Sequence, residues 1–224
     1  MKKINFDDFV NTYVDQTQTL TTFFNRDRDY FDLYKIDILK EITKGIKPKK
    51  ILDFGCGIGL CLRFIIKKFN HSKIYAFDES KKSQAYAKKN YPKANFLNSR
   101  NLKNQKYDII FVSGVFHHVQ IKKRKKLISE LRKMLSEKGN IFITEHNPYN
   151  PVTRKIVSEC EYDKDAILLK KSNLVNLLKS NDFKDFNTGY CLFFPEFLKF
   201  FRPLEKYIRW LPLGGQYFVS ARKS

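Results

Sequence analysis

The stretch Ile51-Leu52-Asp53-Phe54-Gly55-Cys56-Gly57-Ile58-Gly59 decides the fold of this chain of 224 residues. A short apolar strand runs into three glycines, and apolar residues at helical spacing follow at positions 62, 65, 66 and 69. Glycine permits the positive φ and the close backbone approach that a ligand-binding turn requires. The turn ends at a helix N-terminus, where free amide groups favour a carboxylate or a phosphate. We therefore predict that this turn binds a nucleotide-type cofactor.

Further strands alternate with helices along the rest of the chain. We predict strands at 73–78, 95–97, 107–112 and 140–144, then two more at 186–194 and 216–221. This alternation indicates parallel βαβ units, and the near-continuous apolar run at 107–112 is typical of a strand covered on both faces. The predicted fold is α/β: a Rossmann-like doubly wound sheet of seven strands, the last two forming an antiparallel edge pair, with an N-terminal helical lid.

The length and composition predict one domain over residues 1–224, without linkers or repeats. Within it we expect a helical cap at 1–46, a cofactor-binding core at 47–147, and acceptor-side elements with the last strands at 148–224. The N-terminus has no apolar signal core, and no apolar run is long enough to span a bilayer. The four cysteines show neither zinc spacing nor a disulfide framework. We expect a soluble, reduced, cytoplasmic protein.

The charge balance is strongly basic, with 43 lysines and arginines against 23 acidic residues and a net charge of +20. Such a balance is compatible with nucleic acid, an anionic membrane or an acidic substrate. However, 33 of the 43 cations are lysine, which is mostly a solvated point charge, and they spread along the chain. We therefore favour a solvated surface, with a preference for an anionic acceptor as the second reading, and predict no specific nucleic-acid partner.

Two nucleotide motifs fit the glycine turn poorly. The dinucleotide fingerprint Gly-x-Gly-x-x-Gly places its third glycine one position later than Gly59, and no Gly-Lys-Ser/Thr closes the turn as in a P-loop. Asp53 would repel a pyrophosphate, whereas an acid there suits a ligand with an ammonium group and a cationic sulfur. Asp78, 19 residues beyond Gly59, ends the second strand and is suited to accept hydrogen bonds from ribose hydroxyls.

These features resemble the class I S-adenosylmethionine-dependent methyltransferases over roughly residues 40–224. The resemblance is carried by 51–59, by Asp78, by 107–119 with its Ser113-Gly114 and His117-His118, and by 131–143. It implies S-adenosylmethionine as cofactor. It further implies that the ribose is held by Asp78 with Glu79 beside it, and that Ser113 and Gly114 lie along the methionyl portion. The methionine end would be held by Asp53, Gly55, Cys56, Gly57 and Gly59.

The adenine contact departs from the family pattern. Many relatives carry an acidic residue soon after the third strand, whereas this chain has Leu97-Asn98-Ser99-Arg100 there. Asn98 is our candidate for that contact, through a side-chain or backbone acceptor, with Ser99 as the alternative.

Three of the four histidines follow predicted strands at their carboxyl ends, where open α/β sheets gather their reacting groups. A hydroxyl acceptor must lose its proton during methyl transfer, and imidazole is a natural base at neutral pH. His146 and His118 are therefore the predicted catalytic residues. For His117 and His118, helix capping or packing on the sheet is the alternative, and for His146 it is a structural hydrogen bond to Glu145 or Asn147.

The predicted acceptor is a small polar molecule, methylated on oxygen. Candidate acceptor-binding residues are Tyr13, Tyr30, His117, Asn147 and Arg154. Similarity to a bacterial subset of the family favours a sugar or surface-polysaccharide pathway. A quinone or lipid-linked acceptor, an RNA methyltransferase and a non-catalytic binder of the cofactor are the alternatives.

Three further expectations concern the surroundings of the site. No carboxylate cluster for Mg²⁺ is visible, so we predict no metal. The aromatic and cationic segment 197–211 suits either peripheral membrane contact or a cover over the pocket and sheet edge, and we favour the cover. The oligomeric state stays open.

Overall fold

A seven-stranded sheet forms the middle layer of the protein, in a computed structural model that describes residues 6–8 and 29–224. The strand order is β3-β2-β1-β4-β5-β7-β6. Strands β1 to β5 are parallel, whereas β7 pairs antiparallel with both β5 and β6. The strands are β1 (Lys50–Phe54), β2 (Lys73–Phe77), β3 (Asn95–Phe96), β4 (Tyr107–Ser113), β5 (Leu135–His146), β6 (Phe183–Cys191) and β7 (Gln216–Lys223). The predicted fold class, with its antiparallel edge pair, is confirmed.

Helices cover both faces of the sheet. They are α1 (Asp29–Ile42), α2 (Leu62–Lys68), α3 (Lys81–Asn90), α4 (Ser99–Lys103), α5 (Ile121–Met134), α6 (Pro151–Glu159) and α7 (Lys171–Lys179). Short 3₁₀ segments occur at Phe6–Asp8, Phe116–His118, Glu161–Asp163 and Glu196–Tyr207. The strand predicted at 140–144 is longer in the structure, because residues 135–139 also belong to β5 and Leu135 pairs with Tyr107.

Two apolar cores, one on each face, hold the layers together. One core contains the buried faces of α5 and α7, including Ile128, Leu131 and Leu174. The other contains Ile36 and Leu39 of α1 and the buried side of α2. Burying each such side chain stabilises the fold by roughly 1.5–3 kcal/mol. Strand β4 contributes to both cores, which explains its near-continuous apolar sequence.

The crevice for a ligand lies where the strand order reverses. Strand β1 pairs with β2 on one side and with β4 on the other, so the helices after β1 and β4 lie on opposite faces. The carboxyl ends of β1, β4 and β5 therefore open on one edge of the sheet. This topology brings Asp53, Ser113 and His146 to that edge.

The segment from Glu196 to Tyr207 is anchored to the backbone after β6 by one buried carboxylate. Glu205 accepts hydrogen bonds from the backbone N–H groups of Leu192, Phe193 and Phe194 and from the Tyr30 hydroxyl. Just beyond it, the carbonyl of residue 209 accepts the N–H of residue 190 on the edge strand β6. In the part of the chain that the structure describes, no helix combines the length and apolar character needed to cross a membrane.

Candidate functional site

The three glycines of the turn after β1 all have positive φ, but two of them are crowded by side chains and one is not. A Cβ on Gly55 would overlap the side chain of Val115, and a Cβ on Gly59 would lie 2.6 Å from the Tyr91 ring. Nothing lies within 4 Å of the Cβ position of Gly57, whose φ is +52°. Gly55 and Gly59 therefore allow the turn to pack closely on its neighbours, whereas Gly57 leaves open space above its backbone.

Asp53, at the base of this turn, is a buried carboxylate with an unused oxygen. Its side chain is 2% exposed, and its Oδ2 has no hydrogen-bond partner among the described residues. Burial, and then the charges of Asp78 and Asp32, raise the pKa of Asp53 to about 8, with Lys35 opposing them. A cationic ligand stabilises the ionised form of a buried carboxyl group that has an unpaired oxygen and a raised pKa, so such a group favours a cation.

Helix α1 contributes a buried ion pair that the sequence analysis missed. Lys35 Nζ lies 3.4 Å from Asp32 Oδ1 and donates to Ser113 Oγ at 3.3 Å. Ser113 Oγ in turn accepts from Thr144 Oγ1 at 2.9 Å, which links the ends of β4 and β5. The signal was available in the sequence, because Asp32 and Lys35 lie on the same helical stripe as the buried Ile36 and Leu39.

Asp78 sits at the end of β2 directly beside the glycine turn. Its Oδ2 accepts the N–H of Gly57 at 2.7 Å, and its Oδ1 accepts the N–H of Ser80 at 2.8 Å. Burial raises the pKa of Asp78, and the two backbone donors oppose that shift. These bonds fix the carboxylate against the turn and leave further lone pairs for a ligand's hydroxyl groups.

A single cavity of about 820 Å³ joins these groups to the histidines. The predicted cofactor residues on its wall are Asp53, Gly55, Cys56, Gly57, Asp78, Glu79, Ser113 and Gly114. The predicted acceptor-side residues on its wall are His117, His118 and His146. The size suits a nucleoside-containing ligand together with a small second molecule.

Five predicted residues, one of them Gly59, are not on the wall of this cavity. Asn98 caps α4 by accepting the N–H of residue 101, and the Tyr30 hydroxyl donates to Glu205. Asn147 is fully buried, and its Nδ2 donates to the carbonyls of residues 212 and 214, which fixes the loop after β5. Arg154 is exposed on α6. Gly59 packs on α3, and the remaining predicted residue, Tyr13, lies outside the described residues.

His117 is held between two carboxylates in the cavity wall. Its Nδ1 lies 2.6 Å from Glu145 Oε2, and Glu145 Oε1 accepts the N–H groups of Val115 and Phe116 at 3.0 and 2.6 Å. Burial alone would lower the pKa of His117, but Glu145 and Asp163 raise it to about 10. Glu145, predicted only as an alternative partner of His146, thus holds the segment after β4 in place.

His118 faces two aspartates that the sequence analysis did not single out. Its Nε2 lies 3.2 Å from Asp163 Oδ1, and its Nδ1 lies 3.3 Å from Asp165 Oδ1. The loop that carries both aspartates is fixed to the histidine segment by a hydrogen bond from the N–H of residue 167 to the carbonyl of His117, at 2.8 Å. No local motif marks this loop, since the contact joins segments far apart in the sequence.

His146 ends β5 with its ring beside that of His117, at 4.9 Å between ring centroids. None of the described residues forms a hydrogen bond with its ring, so the predicted structural bond to Glu145 or Asn147 is absent there. Burial, and then the positive charge of His117, lower the pKa of His146 to about 4. The ring is therefore neutral and lies on the cavity wall.

The segment after β6 departs from its predicted role as a cover over the pocket. Residues 196–213 are not part of the cavity wall, and Phe197, Phe200 and Trp210 are 70%, 86% and 74% exposed. The segment reaches the sheet edge at residue 209, whose carbonyl accepts the N–H of residue 190. The buried Glu205 ties the segment to the backbone after β6 and thereby directs the aromatic side chains outward.

Comparison with known proteins gives a consistent family. Residues 51–139 match the family model described as a methyltransferase domain. Demethylmenaquinone methyltransferase of Thermotoga maritima is 29% identical over 114 residues, 49% of this chain and 49% of that protein. Malonyl-[acyl-carrier protein] O-methyltransferase of Halalkalibacterium halodurans is 30% identical over 125 residues, 50% of this chain and 45% of that protein. The chain spans about half the length of these curated relatives.

A solved structure matches the fold over almost the whole chain. A SAM-dependent methyltransferase from Archaeoglobus fulgidus superposes with a TM-score of 0.72 at 16% identity, covering 95% of this chain and 100% of that one. The resemblance drawn from the sequence motifs is thereby confirmed. Residues 51–139 thus match a methyltransferase domain, and the chain has the fold of a SAM-dependent methyltransferase.

Proposed function

We propose that this protein transfers the methyl group of S-adenosylmethionine to an oxygen atom of a small polar acceptor. One observation carries the proposal: a single cavity runs from Asp53 and Asp78 to the three histidines. The cofactor supplies an already activated methyl group. The protein must therefore hold the acceptor in line with it, exclude water and take up a proton.

The cofactor side of the cavity fits that ligand. Asp53 has an unsatisfied buried oxygen, which suits the ammonium group of the methionyl end. The open space above Gly57 admits the ligand close to the backbone, and Asp78 keeps lone pairs for ribose hydroxyls. Three carboxylates against one lysine at this end also favour the positive sulfonium over a dinucleotide, whose pyrophosphate they would repel.

The acceptor side of the cavity is polar and rich in imidazole. We assign to His146 the hydrogen bond to the acceptor hydroxyl, because its ring lies on the wall without a partner among the described residues. As a neutral ring, it can receive the hydroxyl proton on a ring nitrogen. His118 and His117 complete the wall with their carboxylates. Lys123 and Lys164 at the rim support an acceptor that carries negative charge, such as a nucleotide-linked sugar.

The test pairs cofactor binding with acceptor turnover. Calorimetric titration should give micromolar binding of S-adenosylmethionine and S-adenosylhomocysteine and none of NAD. Formation of S-adenosylhomocysteine is then followed with nucleotide-linked sugars and with matched analogues in which an amine replaces each hydroxyl. We expect turnover with a hydroxyl acceptor and its loss in the amine analogue. Turnover with amines alone would refute the oxygen assignment, and NAD binding would refute the cofactor.

A lipid-linked acceptor is the second candidate, favoured by the exposed aromatic segment. Seven of the thirteen exposed large apolar side chains among the described residues lie at positions 197–213. Lysine and arginine interleave with them, as at a membrane interface, and the net charge of +20 suits anionic lipid. One of the relatives, demethylmenaquinone methyltransferase, is named for a quinone acceptor, which is consistent with this alternative.

Trp210 makes this alternative directly measurable. It is the chain's single tryptophan and is 74% exposed, so its fluorescence reports on this segment alone. Insertion at a lipid interface should shift the emission to the blue with anionic vesicles, and Phe200→Ser should weaken the effect. Tyr86→Ser, at an exposed aromatic outside the segment, is the matched control. An unchanged spectrum, with no flotation alongside anionic vesicles, would remove the lipid-linked candidate.

A further inference from the structure

Two histidines and one aspartate each bring one ligand atom to the same small volume of the cavity wall. His117 Nε2 lies 3.4 Å and His118 Nε2 lies 3.2 Å from the same oxygen, Asp163 Oδ1. The three ligand atoms all lie within 4.8 Å of one another. His117 is buried and the other two side chains are partly buried, so bulk water does not freely fill the space between them.

The other nitrogen of each ring already has a carboxylate partner. His117 Nδ1 lies 2.6 Å from Glu145 Oε2, and His118 Nδ1 lies 3.3 Å from Asp165 Oδ1. Because a carboxylate accepts an N–H, these contacts place a proton on Nδ1 of both rings and leave the Nε2 atom of each ring facing Asp163, where a metal ion could take the place of a proton. Histidines that bind metals almost always donate their other N–H to such a partner.

The geometry and the charge of this arrangement fit a cation. Positive charge is required where two ring nitrogens meet a carboxylate oxygen, and either protons on the Nε2 atoms or a bound metal ion supplies it. Ligands held about 2.0–2.1 Å from a tetrahedral zinc ion lie about 3.3 Å apart, which matches the spacings of 3.2 and 3.4 Å to Asp163 Oδ1. The full set of ligand atoms spans up to 4.8 Å, so the two ring nitrogens would move closer together when the ion binds. Glu145, Asp163 and Asp165 together bring three negative charges to the two rings.

We propose that His117, His118 and Asp163 bind one divalent zinc-like ion, with a remaining coordination position open to the cavity. Two imidazoles and one carboxylate, with an open position, form the ligand set of catalytic zinc sites. The use of the ion rests on the proposed function, since in that reaction it would hold the acceptor oxygen. The sequence predicted no metal because Asp163 lies far from the histidine pair along the chain and forms no spacing motif.

The test is metal binding by untagged full-length protein, freed of metal with chelator and then titrated with Co²⁺ and Zn²⁺. We expect one equivalent of Co²⁺ with the intense visible absorption of a tetrahedral site, and its displacement by Zn²⁺. Asp163→Asn and His118→Ala should each weaken binding by about 100-fold or more, because one of three ligands is lost. Asp165→Asn should weaken binding by about 10-fold, as a partner of a ligand does.

His71→Ala is the matched control, since it removes an exposed histidine from a turn elsewhere and should leave binding unchanged. Thermal melting and S-adenosylhomocysteine titration of each metal-free variant check that it is folded. Binding of less than about a tenth of an equivalent, or equal affinity in Asp163→Asn and the parent, would overturn the proposal. S-adenosylhomocysteine binding by the metal-free protein separates failure of the metal site from failure of the proposed function.

Discussion

The affinity for S-adenosylhomocysteine should depend on pH through Asp53. The pKa of this carboxyl is raised to about 8 in the free protein, and only its ionised form attracts the ligand's ammonium group. With that value, about one molecule in 100 is ionised at pH 6.0 and about one in four at pH 7.5. If the bound carboxylate stays ionised over this range, the dissociation constant should fall by about 24-fold between the two pH values.

The assay is calorimetric titration of S-adenosylhomocysteine at both pH values, with Asp53→Asn as the comparison. Asparagine keeps the shape of the side chain but does not titrate, so its affinity should be weak and nearly constant. The upper pH stays below about 8 so that the ligand keeps its ammonium proton. A dissociation constant that changes by less than about 3-fold in the parent, or equally in both proteins, would refute the role of Asp53.

Three further outcomes follow from the site. His146→Ala should lower turnover at least about tenfold in a product-formation assay while S-adenosylhomocysteine affinity stays the same, and unchanged turnover would remove His146 from the mechanism. Asp78→Ala should weaken S-adenosylhomocysteine binding by about tenfold, through two lost ribose contacts, and equal affinity in calorimetry would contradict the ribose assignment. Gly59→Ala should destabilise the fold by about 1–3 kcal/mol in denaturant unfolding, because its Cβ would lie 2.6 Å from the Tyr91 ring. Gly57→Ala, with open space at that position, should instead reduce cofactor affinity more than stability.

The fold could be predicted from the sequence because the patterns that indicate it are local. A pattern of only a few residues predicts the turn at 51–59, and another predicts the apolar strand at 107–112. Their order along the chain then leaves few topologies, since parallel crossovers are almost always right-handed. The ends of the elements were harder to predict, as at residues 135–139, where pairing with Tyr107 makes β5 begin before the strand predicted at 140–144.

The site could be predicted only in part, because contacts between residues far apart in the sequence form the rest of it. The cofactor residues follow strands whose carboxyl ends the topology brings together, so Asp53, Asp78 and Ser113 were predictable. Asp163 joins the site through a loop that no motif marks. Arg154 is the opposite case. Its place in the chain after β5 led us to predict that it binds the acceptor, but the residue is exposed to solvent on α6.

The most direct test of the account is a crystal structure of the protein with S-adenosylhomocysteine. We expect the ligand's ammonium group to lie against Asp53 and its ribose hydroxyls to lie against Asp78. We also expect the sulfur to face the wall formed by His117, His118 and His146, with space for an acceptor between. A ligand bound in the reverse direction, or a sulfur turned away from the histidines, would contradict the central claim that one cavity joins cofactor and acceptor.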